Sequence, residues 1–163
     1  MKNAQEISDT LEIADVIQRY GKALDEKQFD LLDKVFTKDA QLVYLLGEDL
    51  HKFTMENGVE FYKEFLYKCY WTCHLISTPL IDFKGDRAAT SSRVTATHIQ
   101  KREDGSQNIW IVSGAYQDEF VRGQDGWLIS RRVANAPYVE GNFLTEGVRV
   151  FQSPPSVKDT ERS

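Results

Sequence analysis

The stretch Ala88-Ala-Thr-Ser-Ser-Arg-Val-Thr-Ala-Thr-His-Ile-Gln-Lys-Arg102 decides the fold. Its chemistry alternates with period two. Val94, Ala96, His98 and Gln100 fall on one face, and Arg93, Thr95, Thr97 and Ile99 on the other, as a pleated strand requires. Glu103-Asp-Gly-Ser-Gln107 follows, then a second strand-like run from Asn108 to Arg122, then Gly123-Gln-Asp-Gly126 and a third run from Trp127 to Ala136. Upstream, His74 to Phe83 reads as a further strand joined through Lys84-Gly85-Asp86. Short, glycine-bearing connections between such runs predict consecutive antiparallel hairpins.

Toward the N-terminus the period changes to that of a helix. Leu11, Ala14, Val16, Ile17, Tyr20, Ala23 and Leu24 approximate a helical stripe that closes at Asp25, with Ser8 or Asp9 as N-cap. Phe29, Leu32, Val35 and Phe36 predict a second, short helix over Gln28 to Phe36, and Ala40 to Leu46 a short strand ending at Gly47. Val59, Phe61, Tyr62, Phe65, Leu66 and Cys69 predict a third helix from Asn57 to near Tyr70. Helices followed by a long-stranded meander make an α+β domain: a curved, mostly antiparallel sheet, helices on its concave face, and a pocket between them.

The chain of 163 residues reads as a single domain over 1–153, with a core at 8–136, an extension at 137–153 and a disordered end at 154–163. Its 41% apolar and 28% charged composition is that of a soluble globular protein, without a run approaching the roughly 20 apolar residues that span a bilayer. Its first residues lack the apolar segment of a secretion signal, so a cytoplasmic protein is expected. The net charge of -5 argues against nucleic-acid binding, which needs clustered cations. Cys69 and Cys73 lack the spacing of a structural zinc site and read as free thiols, so no metal is expected.

Two polar residues stand out within amphipathic elements. Asp25 puts a carboxylate at the helix end where the macrodipole disfavours it, which calls for a compensating partner. His74 opens a strand, and histidine is the side chain best suited to proton transfer in neutral water. His98 follows small apolar neighbours on its own strand face, as a pocket wall or a packed core residue. On the next strand Trp110, Val112, Gly114, Tyr116 and Asp118 share a face, where Gly114 makes room for a ligand or for a bend. Tyr20 and Tyr44 are half-buried tyrosines or donors to a reacting oxygen. No nucleophile elbow, Walker loop or dinucleotide fingerprint occurs.

The element order, with Tyr20-Gly-Lys-Ala-Leu-Asp25, Phe29-Asp-Leu-Leu-Asp-Lys-Val-Phe36, Asp39-Ala-Gln-Leu-Val-Tyr44 and His74, resembles the SnoaL-like branch of the nuclear transport factor 2 superfamily over about residues 8–136. Within that branch it is similar to scytalone dehydratase, bile-acid 7α-dehydratase and hexachlorocyclohexane dehydrochlorinase. The resemblance implies a cone-shaped α+β barrel and a cofactor-independent lyase with an Asp25–His74 dyad. It implies that Tyr20 and Tyr44 match pocket tyrosines and that His98 matches a second histidine. Some relatives carry an arginine near the end of the last strand, where this chain has Asn135 and Ala136, with Arg131 and Arg132 earlier.

The expected site is therefore His74 and Asp25 as catalytic pair, with Tyr20, Tyr44, His98, Tyr116, Asn135 and Trp110 binding substrate. The expected substrate is a small, mostly apolar cyclic or aromatic molecule, and no cofactor is implied. Isomerase, polyketide-type cyclase, retro-aldol lyase and non-catalytic binder remain open on this scaffold. The expected partner is another copy of the chain, as homotrimer or dimer, packed through the strand face of Arg93, Thr95, Thr97 and Ile99.

Overall fold

The structure, a computed structural model, describes residues 3–156. The disordered end expected at 154–163 therefore lies largely outside the described residues.

Helix α1 (Ala4–Asp25) begins a turn before Ser8 and Asp9, because Asn3 and Glu6 form a capping box. The Asn3 carboxamide oxygen accepts from the Glu6 N–H at 2.9 Å, and the Glu6 carboxylate accepts from the Asn3 N–H at 2.9 Å. Ile13, Val16, Ile17, Tyr20, Ala23 and Leu24 form the buried stripe, whereas Leu11 is 63% exposed. The register of the stripe runs through Ile13, which the sequence reading passed over.

Asp9, far from capping the helix, is buried against the sheet. It accepts two bonds from Arg122, at 2.8 and 2.6 Å, and one from the Trp127 indole at 3.1 Å. At the other end Lys27 turns the chain out with φ +54°. Its ammonium donates to the carbonyls of Cys69 at 2.7 Å and Phe151 at 2.8 Å, and burial lowers its pKa to about 8.

The second helix is a 3-10 helix, Phe29–Lys34. Strand β1 (Phe36–Leu46) starts well before Ala40 and turns at Gly47, φ +63°, into β2 (Asp49–Thr54), which the sequence reading missed. Helix α2 (Met55–Leu66) follows, earlier at both ends than expected. The single strand expected over His74 to Phe83 is two, β3 (Trp71–Ile76) and β4 (Leu80–Lys84), both antiparallel to β5 (Arg87–Lys101). Pro79 lacks the N–H a continuous ladder needs, and Ser77 closes the gap by accepting from the Arg93 N–H through its hydroxyl at 2.9 Å.

Strands β5, β6 (Gln107–Gly123) and β7 (Gly126–Glu140) form the expected antiparallel hairpins. The sheet has seven strands in the order β2-β1-β7-β6-β5-β3, with β4 also on β5, and β1 joins β7 in parallel. The β6–β7 register shifts beside Gly114, where a Cβ would run into the Asn135 carbonyl and the Ala136 backbone. Glycine is required by that close approach, and the irregularity bends the sheet. Helix α1 lies across the sheet against β3 and β7, and the core of Ile13, Ile17, Leu32, Phe36, Leu42, Phe120, Trp127 and Ile129 fills the space between.

Candidate active site

Asp25, at the last turn of α1, faces the start of β3. Its Oδ1 lies 2.7 Å from His74 Nδ1 and accepts from the Thr72 hydroxyl at 2.9 Å, while its Oδ2 accepts from the His74 backbone N–H at 2.9 Å. Burial opposes the charge, but these bonds outweigh it and hold the carboxyl below its ordinary pKa. The charge that looked out of place at a helix C-terminus is thus the acceptor of three bonds. With Nδ1 engaged, Nε2 is the imidazole nitrogen available to the cavity that His74 lines.

That cavity lies between α1, α2 and the sheet, with about 70 Å³ open to water inside a recess of about 630 Å³ that includes its mouth. Its wall is almost wholly apolar: Leu24, Phe61, Phe65, Val94, Trp110 and Val112 are among the lining residues. The polar groups are few and gathered. The His98 ring lies 5.6 Å from His74 and 4.6 Å from Trp110. His98 is buried, its Nδ1 has no hydrogen-bond partner among the described residues, and burial lowers its pKa to about 3. It is therefore a neutral imidazole at any physiological pH.

Tyr20, Tyr44 and Tyr62 form a chain of hydroxyls, Tyr20 to Tyr44 at 2.9 Å and Tyr44 to Tyr62 at 2.7 Å, and all three line the cavity. Burial pushes each phenol well above its ordinary pKa, so the chain is fully protonated at neutral pH. Beneath it lies Arg132, fully buried, its guanidinium 4.1 Å from the ring centroids of both Tyr20 and Tyr116. Two of its nitrogens donate to Asp118 at 2.7 Å each, and Nη1 has no partner among the described residues.

Of the residues expected from the sequence, Tyr20, Tyr44, His74, His98, Trp110 and Tyr116 all line this cavity, and Asp25 stands directly behind His74. Asn135 also borders the cavity, but it is exposed and alternates with buried Ala134 and Ala136 along β7. Two members of this polar cluster were not singled out in the sequence. Tyr62 read as one aromatic of the third helix, and Arg132 only as an arginine earlier than the position at which some relatives carry one. The parity of β7, which places Arg132 on the same face as buried Ala134 and Ala136, was the signal that separated it from exposed Arg131.

Among the described residues no three His, Cys, Asp or Glu side chains gather as a metal site, and no helix is long and apolar enough to cross a membrane. Outside the barrel, Leu75, Ile109 and Tyr138 are exposed on strands β3, β6 and β7, near the outward face of β5.

The SnoaL-like domain profile matches residues 5–133. An uncharacterized protein of Mycobacterium tuberculosis is 34% identical over 138 residues, covering 82% of this chain and 88% of that protein. Among solved structures, a Kribbella flavida protein superposes with a TM-score of 0.72 at 26% identity, covering 82% of this chain and 94% of the other. A hexachlorocyclohexane dehydrochlorinase of type 2 does so with a TM-score of 0.70 at 17% identity, covering 93% and 97%. The last likeness is one of fold, and it matches the helix-covered curved sheet described above. With the profile spanning all but the end of the core, this chain belongs to the SnoaL-like domain family.

Proposed function

We propose that the protein is a cofactor-independent lyase that eliminates a hydroxyl or halide from a small, mostly apolar cyclic or aromatic molecule. The observation that carries this reading is the 2.7 Å contact of Asp25 with His74, made by a histidine that also lines an apolar cavity. His74 Nε2 takes a proton from a carbon next to an activating group. Asp25 fixes the tautomer and stabilises the imidazolium. The electron pair of the broken C–H bond forms the double bond as the neighbouring hydroxide or halide departs, and a departing hydroxide receives the proton back from His74 as water. Base catalysis of this kind supplies about 10²- to 10⁴-fold, so positioning and hydrogen bonds to a substrate oxygen supply the rest.

The dimensions bear on the substrate. A water-accessible volume of about 70 Å³ is below the roughly 150 Å³ of an engineered cavity that encloses benzene, so a ring extends into the wider recess. The same reading includes a cytoplasmic setting and a homo-oligomer, trimeric in preference to dimeric, formed through the outer sheet face with exposed Leu75, Ile109 and Tyr138. A solution mass of one chain would remove the assembly from it.

The test is a panel of ring compounds bearing a hydroxyl or halide β to a carbonyl or aryl group, followed by absorbance of the conjugated product. Turnover by the wild-type protein that disappears in His74→Ala supports the reading. Turnover that His74→Ala retains overturns it, and isomerised or cyclised product in place of eliminated product moves the same dyad to another reaction.

A further inference from the structure

We propose that Thr72 is a positioning residue of the Asp25–His74 pair, one that keeps the abstracted proton on the imidazole and so lets the ring return it to a departing hydroxide. The inference rests on the lyase reading of the dyad. It begins with the Thr72 hydroxyl, which donates at 2.9 Å to Asp25 Oδ1, the same oxygen that meets His74 Nδ1 at 2.7 Å. Both lone pairs of that oxygen are therefore in use. Thr72 lies two residues before His74 on β3, so the two side chains share a face, and Thr72 is buried behind the cavity wall rather than part of it.

Hydrogen bonds are what hold the Asp25 charge. The titratable neighbours on the adjoining strands are neutral at neutral pH, because burial raises the Cys73 thiol on β3 and the Tyr116 phenol on β6 and lowers His98 on β5 to about 3. Lys22 and Glu26, one on each side of Asp25 in sequence, pair with each other on the surface at 2.6 Å. Of the three donors to the carboxylate two belong to His74, and Thr72 supplies the third.

That third bond bears on one moment of the reaction. Once Nε2 has taken a proton from carbon the ring is an imidazolium, and its Nδ1 proton faces Oδ1. If that proton crosses, the N–H bond breaks with its electron pair left on Nδ1, an O–H bond forms on Oδ1, and the pair becomes a carboxylic acid beside a neutral ring. A neutral imidazole is a far weaker acid than an imidazolium, so Nε2–H no longer protonates the leaving oxygen. A hydroxyl donates more strongly to a carboxylate than to a carboxylic acid, so Thr72 opposes the crossing. A halide leaves without a proton and is indifferent to it.

The experiment sets Thr72→Val, which keeps the β-branched shape and loses the hydroxyl, against Thr72→Ser, which keeps the hydroxyl and loses the methyl. Melting curves establish that each variant is folded. Ring compounds bearing a hydroxyl are compared with their halide counterparts. In Thr72→Val the kcat for hydroxyl elimination is expected to fall about tenfold and that for halide elimination less than about threefold, while Thr72→Ser stays within about twofold of the wild type on both. Equal loss on the two leaving groups, or a larger loss in Thr72→Ser than in Thr72→Val, would overturn the assignment. A measurement without substrate separates the inference from the reading beneath it: nitrogen NMR of His74 in the acid form of the pair, assigned with His74→Gln. Both ring nitrogens are expected to carry protons in the wild type and Thr72→Ser, and Nδ1 to lose part of its proton in Thr72→Val. An unchanged Nδ1 in Thr72→Val overturns the role of Thr72 and leaves the proposed dyad standing. A wild type that eliminates nothing, with Nδ1 responding to Thr72→Val alone, overturns the lyase and leaves the placement of the proton by Thr72.

Discussion

Asp25 grips His74 twice, once through the ring and once through the backbone. Oδ1 meets Nδ1 at 2.7 Å and Oδ2 accepts the main-chain N–H at 2.9 Å, so one carboxylate fixes the tautomer of the imidazole and the position of the strand that carries it. An asparagine at this position keeps an acceptor for the N–H but presents a neutral amide to the ring.

Asp25→Asn is therefore expected to lower the rate of elimination by about 10²- to 10⁴-fold with little change in KM, while the melting temperature shifts by no more than a few degrees. Steady-state kinetics beside a thermal melt checks both halves. Retained full activity removes Asp25 from the mechanism.

His98 makes stability depend on pH. Its folded pKa, lowered by burial to about 3, lies below the value it has in the unfolded chain, so between those values the unfolded state binds the extra proton. Its contribution is complete above the unfolded pKa and is lost as pH falls toward the folded one, by about 2 kcal/mol between roughly pH 6.5 and 5. Urea unfolding across that range is expected to show the slope in the wild type and to lose most of it in His98→Gln.

Asp9 acts at more acid pH. The Arg122 guanidinium holds its carboxyl down to about 2, helped by the Trp127 indole against the effect of burial. The clamp between α1 and the β6–β7 hairpin is therefore intact above the ordinary carboxylate range and is lost as pH falls toward about 2. Asp9→Ala leaves Arg122 and the indole without their acceptor and is expected to cost about 2–3 kcal/mol at neutral pH, measured by denaturant titration.

Two glycines are expected to respond with opposite sign. A Cβ on Gly21, inside α1, would meet Ile76 Cδ1 at 3.5 Å and His74 Cβ at 3.7 Å, both ordinary contacts, so Gly21→Ala is expected to raise stability by about 0.5–1 kcal/mol through helix propensity. At Gly114 the same carbon would enter the β7 backbone, and Gly114→Ala is expected to cost about 3 kcal/mol or prevent folding. Melting temperatures of the two variants decide the matter.

Much of the fold was legible because its signals are local. The alternation from Arg93 to Gln100 reports the pleat directly, and its buried face is the one observed. The parallel pairing of β1 with β7 left no trace, since Val43 and Val133 meet across long sequence separation and neither carries a local cue. The extra break at Ser77 was announced by Pro79 and passed over in favour of a continuous apolar run. At the site, Asp25 and His74 were legible as anomalies of charge within their elements. Tyr62 and Arg132 were not, because their places come from what surrounds them: a tyrosine among aromatics joins a hydroxyl chain only when Tyr44 lies beside it, and an arginine becomes buried only when Asp118 lies opposite it.

The Lys27 ammonium donates to its last partner across a long stretch of chain, since the Phe151 carbonyl is 124 residues away. During synthesis the whole of α1 leaves the ribosome long before that carbonyl exists, so a nascent chain holds Lys27 with one of its two acceptors missing. An isolated cation in that niche favours solvent over burial. Folding that begins with the hairpins cannot seal the junction of α1 with the rest until residue 151 has emerged, so the segment around Phe151 is the piece that completes the burial of Lys27.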